Sequence, residues 1–464
     1  MKKSVVVLFF LMSTLLNADD KAANSANAAA PPPPPPVAKT VHTENHINGG
    51  DLVDNYHWLR DKSNPEVAKY LQAENAYTDG VMKPTTALQQ KLYDEMVSHI
   101  KETDVNVPYR EGGYFYYSRW EKGQQYQILA RKKGNLEAVE EITIDVNELA
   151  KGQPFMALGV YELSDNGNFA AYSTDNTGFR QYKLRVRDLR TGKDSEVIAD
   201  KVGSVAWAND NKTLFYTVEE DKTKRQYRLY RHVIGAEIGK DDLIYEEKDE
   251  RFNIEVGKTR SGKYIMLQIG SHTTSEQRYL DAANPNGEWK LIAPRQQDVE
   301  YYADDHGDQF LVRTNDKGRT FRLVSAPISA PGKENWKEVV PVRPEVMLND
   351  IEVFEDFYVL VERENGLPEL TVTNFATGAK TRITYPEPVY TASSQINREY
   401  KTSKFRYSYQ SLVTPPSVFD YDVTQHTSSL LKQNEVPGGY DTSKYQSERV
   451  WATAKDGVKV PVSV

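Results

Sequence analysis

A repeat constrains this chain more than any other feature. Seven times between Gly112 and Gln410 an aromatic-rich strand recurs, in most copies behind a turn. The copies are GGYFYYS at Gly112–Ser118, GNFAAYS at Gly167–Ser173, KTLFYT at Lys212–Thr217 and GKYIMLQ at Gly262–Gln268, then DQFLVRT at Asp308–Thr314, FYVLVE at Phe357–Glu362 and FRYSYQ at Phe405–Gln410. A second strand-like run follows each one, beginning at Gln125, Gln181, Gln226, Gln277, Arg319, Pro368 and Pro415. The copies lie ~45–55 residues apart, which is the period of four-stranded propeller blades. Side chains alternate between the two faces of a strand, so each small sheet has two faces to cover. Stacking blades around an axis covers both and leaves only short edges. The expected fold is therefore mainly β, a seven-bladed β-propeller. Two unrelated β-sandwiches would also give many strands, but not seven evenly spaced copies. The turns Ala376–Gly378 and Arg190–Gly192 should join outer strands within single blades.

The flanks read differently. Lys2 and Lys3 precede an apolar run from Ser4 to Leu16, and Ala18 is a small residue at a plausible cleavage point. Residues 1–18 therefore read as a secretory signal peptide, too short for a span of ~20 residues. An uncleaved membrane anchor is the competing reading. Residues 19–39 carry Ala, Asn and the six prolines Pro31–Pro36, a low-complexity spacer that cannot form a core. Residues 40–106 form a helical amino-terminal segment. Val67, Tyr70, Leu71, Tyr77 and Val81 sit at helical spacing behind a cap at Ser63 or Asn64 and Pro65. A second helix starts near Thr86 with Leu88, Leu92, Met96 and Ile100 on one stripe. Residues 107–436 hold the propeller. In 437–464 the runs SERVWATA and VKVPVSV flank Lys455-Asp456-Gly457, a hairpin signal outside the repeat.

Composition removes several functions. The formal charge is −8, and −8 − 2 = −10 once Lys2 and Lys3 are cleaved off, so no basic face for nucleic acid is expected. There are no cysteines, hence no disulfide, thiolate nucleophile or cysteine-held metal. Export points to the periplasm or the cell exterior, with no membrane association beyond it.

Two stretches carry a resemblance. DNYHWLRD at Asp54–Asp61 with VAKYLQAENAY at Val67–Tyr77 resembles the amino-terminal signature of the prolyl oligopeptidase family. NEVPGGYDTSKYQSERVWATAKDGVKVPVSV at Asn434–Val464 is similar to the oligopeptidase B branch, where propeller passes into catalytic domain. The resemblance implies a serine-type peptidase in which the propeller excludes large folded proteins. It implies an α/β-hydrolase domain carrying Ser, Asp and His, and cleavage of short peptides after Arg or Lys. Residues 437–464 are then the first hairpin of that domain, otherwise missing. The partners implied are short peptides and the hydrolase domain.

No catalytic, cofactor-binding or metal residue is assigned. A nucleophile elbow needs Gly-x-Ser-x-Gly, and Ser204, Ser261 and Ser271 all lack it. His42 and His46 in HTENH are four apart, but they sit beside the proline tether and Gly49-Gly50, where a zinc-binding helix is not expected. His57 is expected to pack or cap beside Trp58. ADDHGD, with Asp304, Asp305, His306 and Asp308, lacks calcium-loop spacing and reads as a solvated turn between blades. The charge runs Glu219–Lys224 and Glu246–Arg251 should face water. No cofactor is implied. Three functions compete: the gating part of an oligopeptidase B-like enzyme, inactive alone; a stand-alone propeller binding peptides or proteins; and a propeller enzyme acting on glycans. The last would need clustered acids on the strands, and no such pair stands out.

Overall fold

The computed structural model describes residues 34–464. Residues 1–18, where a signal peptide is expected, and most of the proline spacer lie outside the described residues. The chain divides into two compact units, with the break after His99.

In the first unit, Glu44–Ile47 pairs with Gly50–Val53. Asn48 and Gly49 both take positive φ, 52° and 81°, as a two-residue hairpin turn requires. The HTENH stretch is thus partly strand, with His46 bonded to Asp51 at 2.7 Å. His57 lies in a single helical turn with its ring against Asn45 at 3.3 Å. Helix α1 (Pro65–Met82) begins where the Asn64 side chain accepts from the Glu66 N–H at 3.0 Å. That bond satisfies a donor the helix itself cannot. Helix α2 (Thr86–Ser98) carries the expected stripe, with Leu88, Leu92 and Met96 exposed at 56%, 46% and 59%.

The second unit holds seven consecutive antiparallel sheets. Six have four strands in chain order. Blade 1 has five, because Asp104–Val105 and Tyr109–Glu111 both pair with Tyr114–Trp120. The repeated segments are the second and third strands of each blade, as in blade 4, where Tyr264–Gly270 pairs with Ser275–Asp281. Their alternating apolar residues bury against the next blade. Ala206, Phe215 and Leu229 of blade 3 pack with Ile254, Val256, Ile265 and Leu267 of blade 4. Phe357, Val359 and Leu370 of blade 6 pack with Phe405, Tyr407 and Tyr409 of blade 7. Burial at about 25 cal/mol per Å² makes these interblade clusters the main source of stability.

Blade 7 takes all four strands from its own stretch, Thr391–Ser394 through Thr427–Gln433. Side chains join it to blade 1. Arg406 Nη1 donates to the Pro108 carbonyl at 2.7 Å, and Lys432 Nζ reaches Asp104 at 2.6 Å and the Val105 carbonyl at 2.7 Å. First strands begin and fourth strands end on one face of the ring, so the chain enters and leaves the propeller there. The last hairpin, Arg449–Thr453 with Lys459–Ser463, meets this face, where Arg449 donates to the Asn365 carbonyl in a blade 6 turn.

Two expectations need correction. Asp304, Asp305 and His306 are not a turn between blades. They end the first strand of blade 5, and Gly307-Asp308 turns within that blade to Gln309–Thr314. Asp305 is 1% exposed, and His306 stacks on Phe375 at 3.6 Å. Nor does all of Glu246–Arg251 face water. Glu247 is buried against Arg295 at 2.6 Å, because that arginine needs a carboxylate between blades.

Candidate functional site

A propeller's first strands face its axis, and here they enclose a cavity of about 1100 Å³. Each blade contributes by the same logic. A first strand shows one face to the channel, so that face is free of the demand for apolar burial. Glu162 comes from Ala157–Leu163, Glu255 and Lys258 from Asn253–Lys258, Asp304 from Tyr301–His306 and Asp350 from Val346–Val353. Glu111, Asp165, Arg260 and Arg398 lie at or beyond strand ends.

Every cation in this wall already has a carboxylate. Lys258 Nζ bonds both oxygens of Asp165 at 2.7 Å. Arg398 meets Glu162 at 3.4 Å. Arg260 binds Glu352, donates to the carbonyls of Val353 and Asn397 at 2.7 Å each, and lies over Phe354 at 4.3 Å. Four wall carboxylates, those of Glu111, Glu255, Asp304 and Asp350, have no ion-pair partner among the described residues. No acid pair stands out in the linear sequence, but the ring brings these four carboxylates to one channel wall.

Three of these acids bind their protons unusually tightly. Burial pushes Asp304 up to about 7, with the neighbouring Asp305 charge adding to it and Arg260 opposing. Burial likewise raises Glu111 to about 6, against the pull of Arg398. Asp350 is raised by burial although the Ile351 N–H and Arg313 oppose it. A wall of partly desolvated carboxylates with no spare cation attracts positive charge and repels negative charge.

The serines considered as nucleophiles have structural roles. Ser204 Oγ accepts from the Val256 N–H at 2.9 Å and shares a bond with Thr217 at 2.9 Å. Ser261 Oγ donates to Asp305 at 2.7 Å. Ser271 bonds the Thr274 backbone within its turn. The sequence signal for the acids was present in YADDHG and NDIEV, but acids there also suit a turn.

Fold and site together define a seven-bladed propeller with an acid-walled axial channel. Residues 35–434 match the family model described as the prolyl oligopeptidase N-terminal beta-propeller domain, and the chain belongs to that family. It is 39% identical over 451 residues to dipeptidyl aminopeptidase BI of Pseudoxanthomonas mexicana, covering 92% of this chain and 62% of the relative. Protease 2 of Moraxella lacunata is 32% identical over 439 residues, with the same two coverages. Oligopeptidase B from Leishmania major superposes with a TM-score of 0.85 at 28% identity, over 93% of this chain and 64% of that one. The chain thus spans about 62% of the length of these curated relatives.

Proposed function

We propose that this chain is the substrate-gating propeller of an exported, oligopeptidase B-like serine peptidase that cuts short peptides after Arg or Lys. In this reading the 464 residues are inactive alone, since they contain no Gly-x-Ser-x-Gly, and the chemistry resides in a hydrolase domain. The observation that carries the basic-peptide reading is the channel wall, with four unpaired carboxylates and no unpaired cation. The channel admits a flexible chain and excludes a folded protein. The exposed stripe of α2 is one apolar surface suited to a hydrolase domain, and the hairpin residues Trp451, at 50%, and Val460, at 44%, are another. Residues 1–18 support export to the periplasm or cell exterior.

The test is a binding titration. A fluorescent peptide with two arginines is expected to bind at least about tenfold tighter than the same peptide with two glutamates at about 0.05 M salt. The gap should shrink at about 0.5 M salt, where exposed charges are screened. Equal affinities at low salt would sink the basic-peptide reading.

A further inference from the structure

A second cavity of about 510 Å³ lies between blades 3 and 4 and shares part of its wall with the channel. It sits at the face where first strands begin, the face that also bears the chain's last hairpin. Its chemistry differs from the rest of the channel. Gln226 and Gln277, each near the start of a third strand, both line it.

Gln277 is 1% exposed. Its Oε1 accepts from the Ala303 N–H at 2.7 Å, which fixes the amide, because a flip would set donor against donor. Its Nε2 is left buried with no partner among the described residues. The Oε1 of Gln226 is likewise buried and unpartnered. The pocket therefore offers one fixed donor from Gln277 and, from Gln226, whose amide no hydrogen bond fixes, an acceptor in the orientation seen. Two of its other polar groupings are occupied, while Glu255 and Gln268, shared with the channel wall, have no side-chain partner among the described residues. Ser204 and Thr217 bond one another at 2.9 Å, and Glu276 meets Arg295 at 3.2 Å.

The backbone makes room for this. A Cβ on Gly203 would stand 2.4 Å from the Gln226 side chain, so a larger residue would displace that amide. At the matching position of blade 2, Gly159, the space is filled by the Tyr182 ring, 2.7 Å from an added Cβ. Blade 3 thus places an amide where blade 2 places a ring.

We infer that this pocket is a subsite for uncharged peptide main chain, in which a peptide carbonyl accepts from Gln277 Nε2 and a peptide N–H donates to Gln226 Oε1. A peptide amide carries that acceptor and donor pair, and a carboxylate or phosphate lacks the donor. The inference rests on the peptide-presenting reading above and adds a site that recognises backbone rather than charge. Cationic side chains engage the acids of the wall, and the main chain engages the two glutamines.

The test uses the full chain and an N-acetylated, C-amidated Gly-Ala-Gly-Ala-Gly probe, followed by calorimetry. Gln226→Met removes the free acceptor and breaks no hydrogen bond seen in the fold. Gln277→Glu keeps the acceptor for Ala303 and replaces the free donor. Each is expected to weaken probe binding about five- to tenfold. The melting temperature of Gln226→Met should stay that of the parent. An ester analogue of the probe, lacking N–H groups, should bind weakly to the parent and be insensitive to Gln226→Met. Failure of the parent to bind the neutral probe, or equal binding by parent and both variants, overturns the subsite. If the two-arginine peptide still binds under those conditions and Asp304→Asn weakens it, the channel reading survives without the subsite.

Discussion

Arg260→Met is expected to lower folding stability by about 3–5 kcal/mol, the cost of leaving a buried charge without its partner. Arg260 starts the turn between the first two strands of blade 4, yet it reaches Glu352 and Val353 of blade 6 and Asn397 of blade 7. One guanidinium thus ties three blades at the channel end. Its removal would leave Glu352, whose side chain is 16% exposed, beside Asp304 and Asp350, with Arg313 opposing only the Asp350 charge. Arg260→Lys should recover only part of the loss, because a single ammonium cannot serve three acceptors in a planar fork. Adding Glu352→Gln to Arg260→Met should restore most of it, since the orphaned charge is then gone. Thermal unfolding by calorimetry checks all three variants. A single Arg260→Met variant within about 1 kcal/mol of the parent would mean that solvent in the channel already screens Glu352.

The second large effect is a gain. Asp304→Asn is expected to stabilise the fold at about pH 8 and to leave it nearly unchanged at about pH 4. The sign follows from the proton. Burial lifts the Asp304 carboxyl to a pKa of about 7 in the fold, against an ordinary 3.8. The folded chain therefore holds this proton more tightly than the unfolded chain. Its contribution favours folding at low pH, is progressively lost as pH rises from about 4 to about 7, and stays lost above. Glu111, raised to about 6, acts in the same direction over a narrower window. Asparagine keeps the shape and never ionises, so the penalty above pH 7 disappears. The same change should weaken binding of a two-arginine peptide at about pH 8 by about fivefold or more, because a carboxylate facing the ligand is lost. A destabilised Asp304→Asn protein at pH 8 would mean that the charge is compensated within the channel. Stability gained while binding is lost marks a group kept for function rather than for the fold.

Why the blades were readable and the channel was not has one physical cause. Second and third strands bury both faces between neighbouring blades, so Phe215, Phe310 and Phe357 recur at a period that sequence alone displays. First strands face the channel on one side, and that side needs no apolar residue. Asp304 and Asp305 therefore look like a turn next to Gly307, and Asp350 and Glu352 look like surface. Their proximity depends on the ring, which brings residues of blades 4, 5, 6 and 7 around Arg260. Glu247 was misread for a related reason, since its partner Arg295 is 48 positions away. Local signals behaved better. The Asn64 cap and Pro65 mark the start of α1, and Asp456-Gly457 marks the last hairpin. Asn48-Gly49 carries the same hairpin signal, and it places a two-stranded hairpin at Glu44–Val53, within the segment expected to be helical.

The most direct test of the division between presenting and cutting is to watch both in one sample. The purified 464-residue chain is mixed with a fluorogenic peptide ending in Arg, and bound peptide and released fluorophore are followed together. The predicted result is saturable binding, weakened by Asp304→Asn, with no release above buffer. Release that a serine-directed inhibitor blocks would contradict it, because these residues would then hold a catalytic serine of their own.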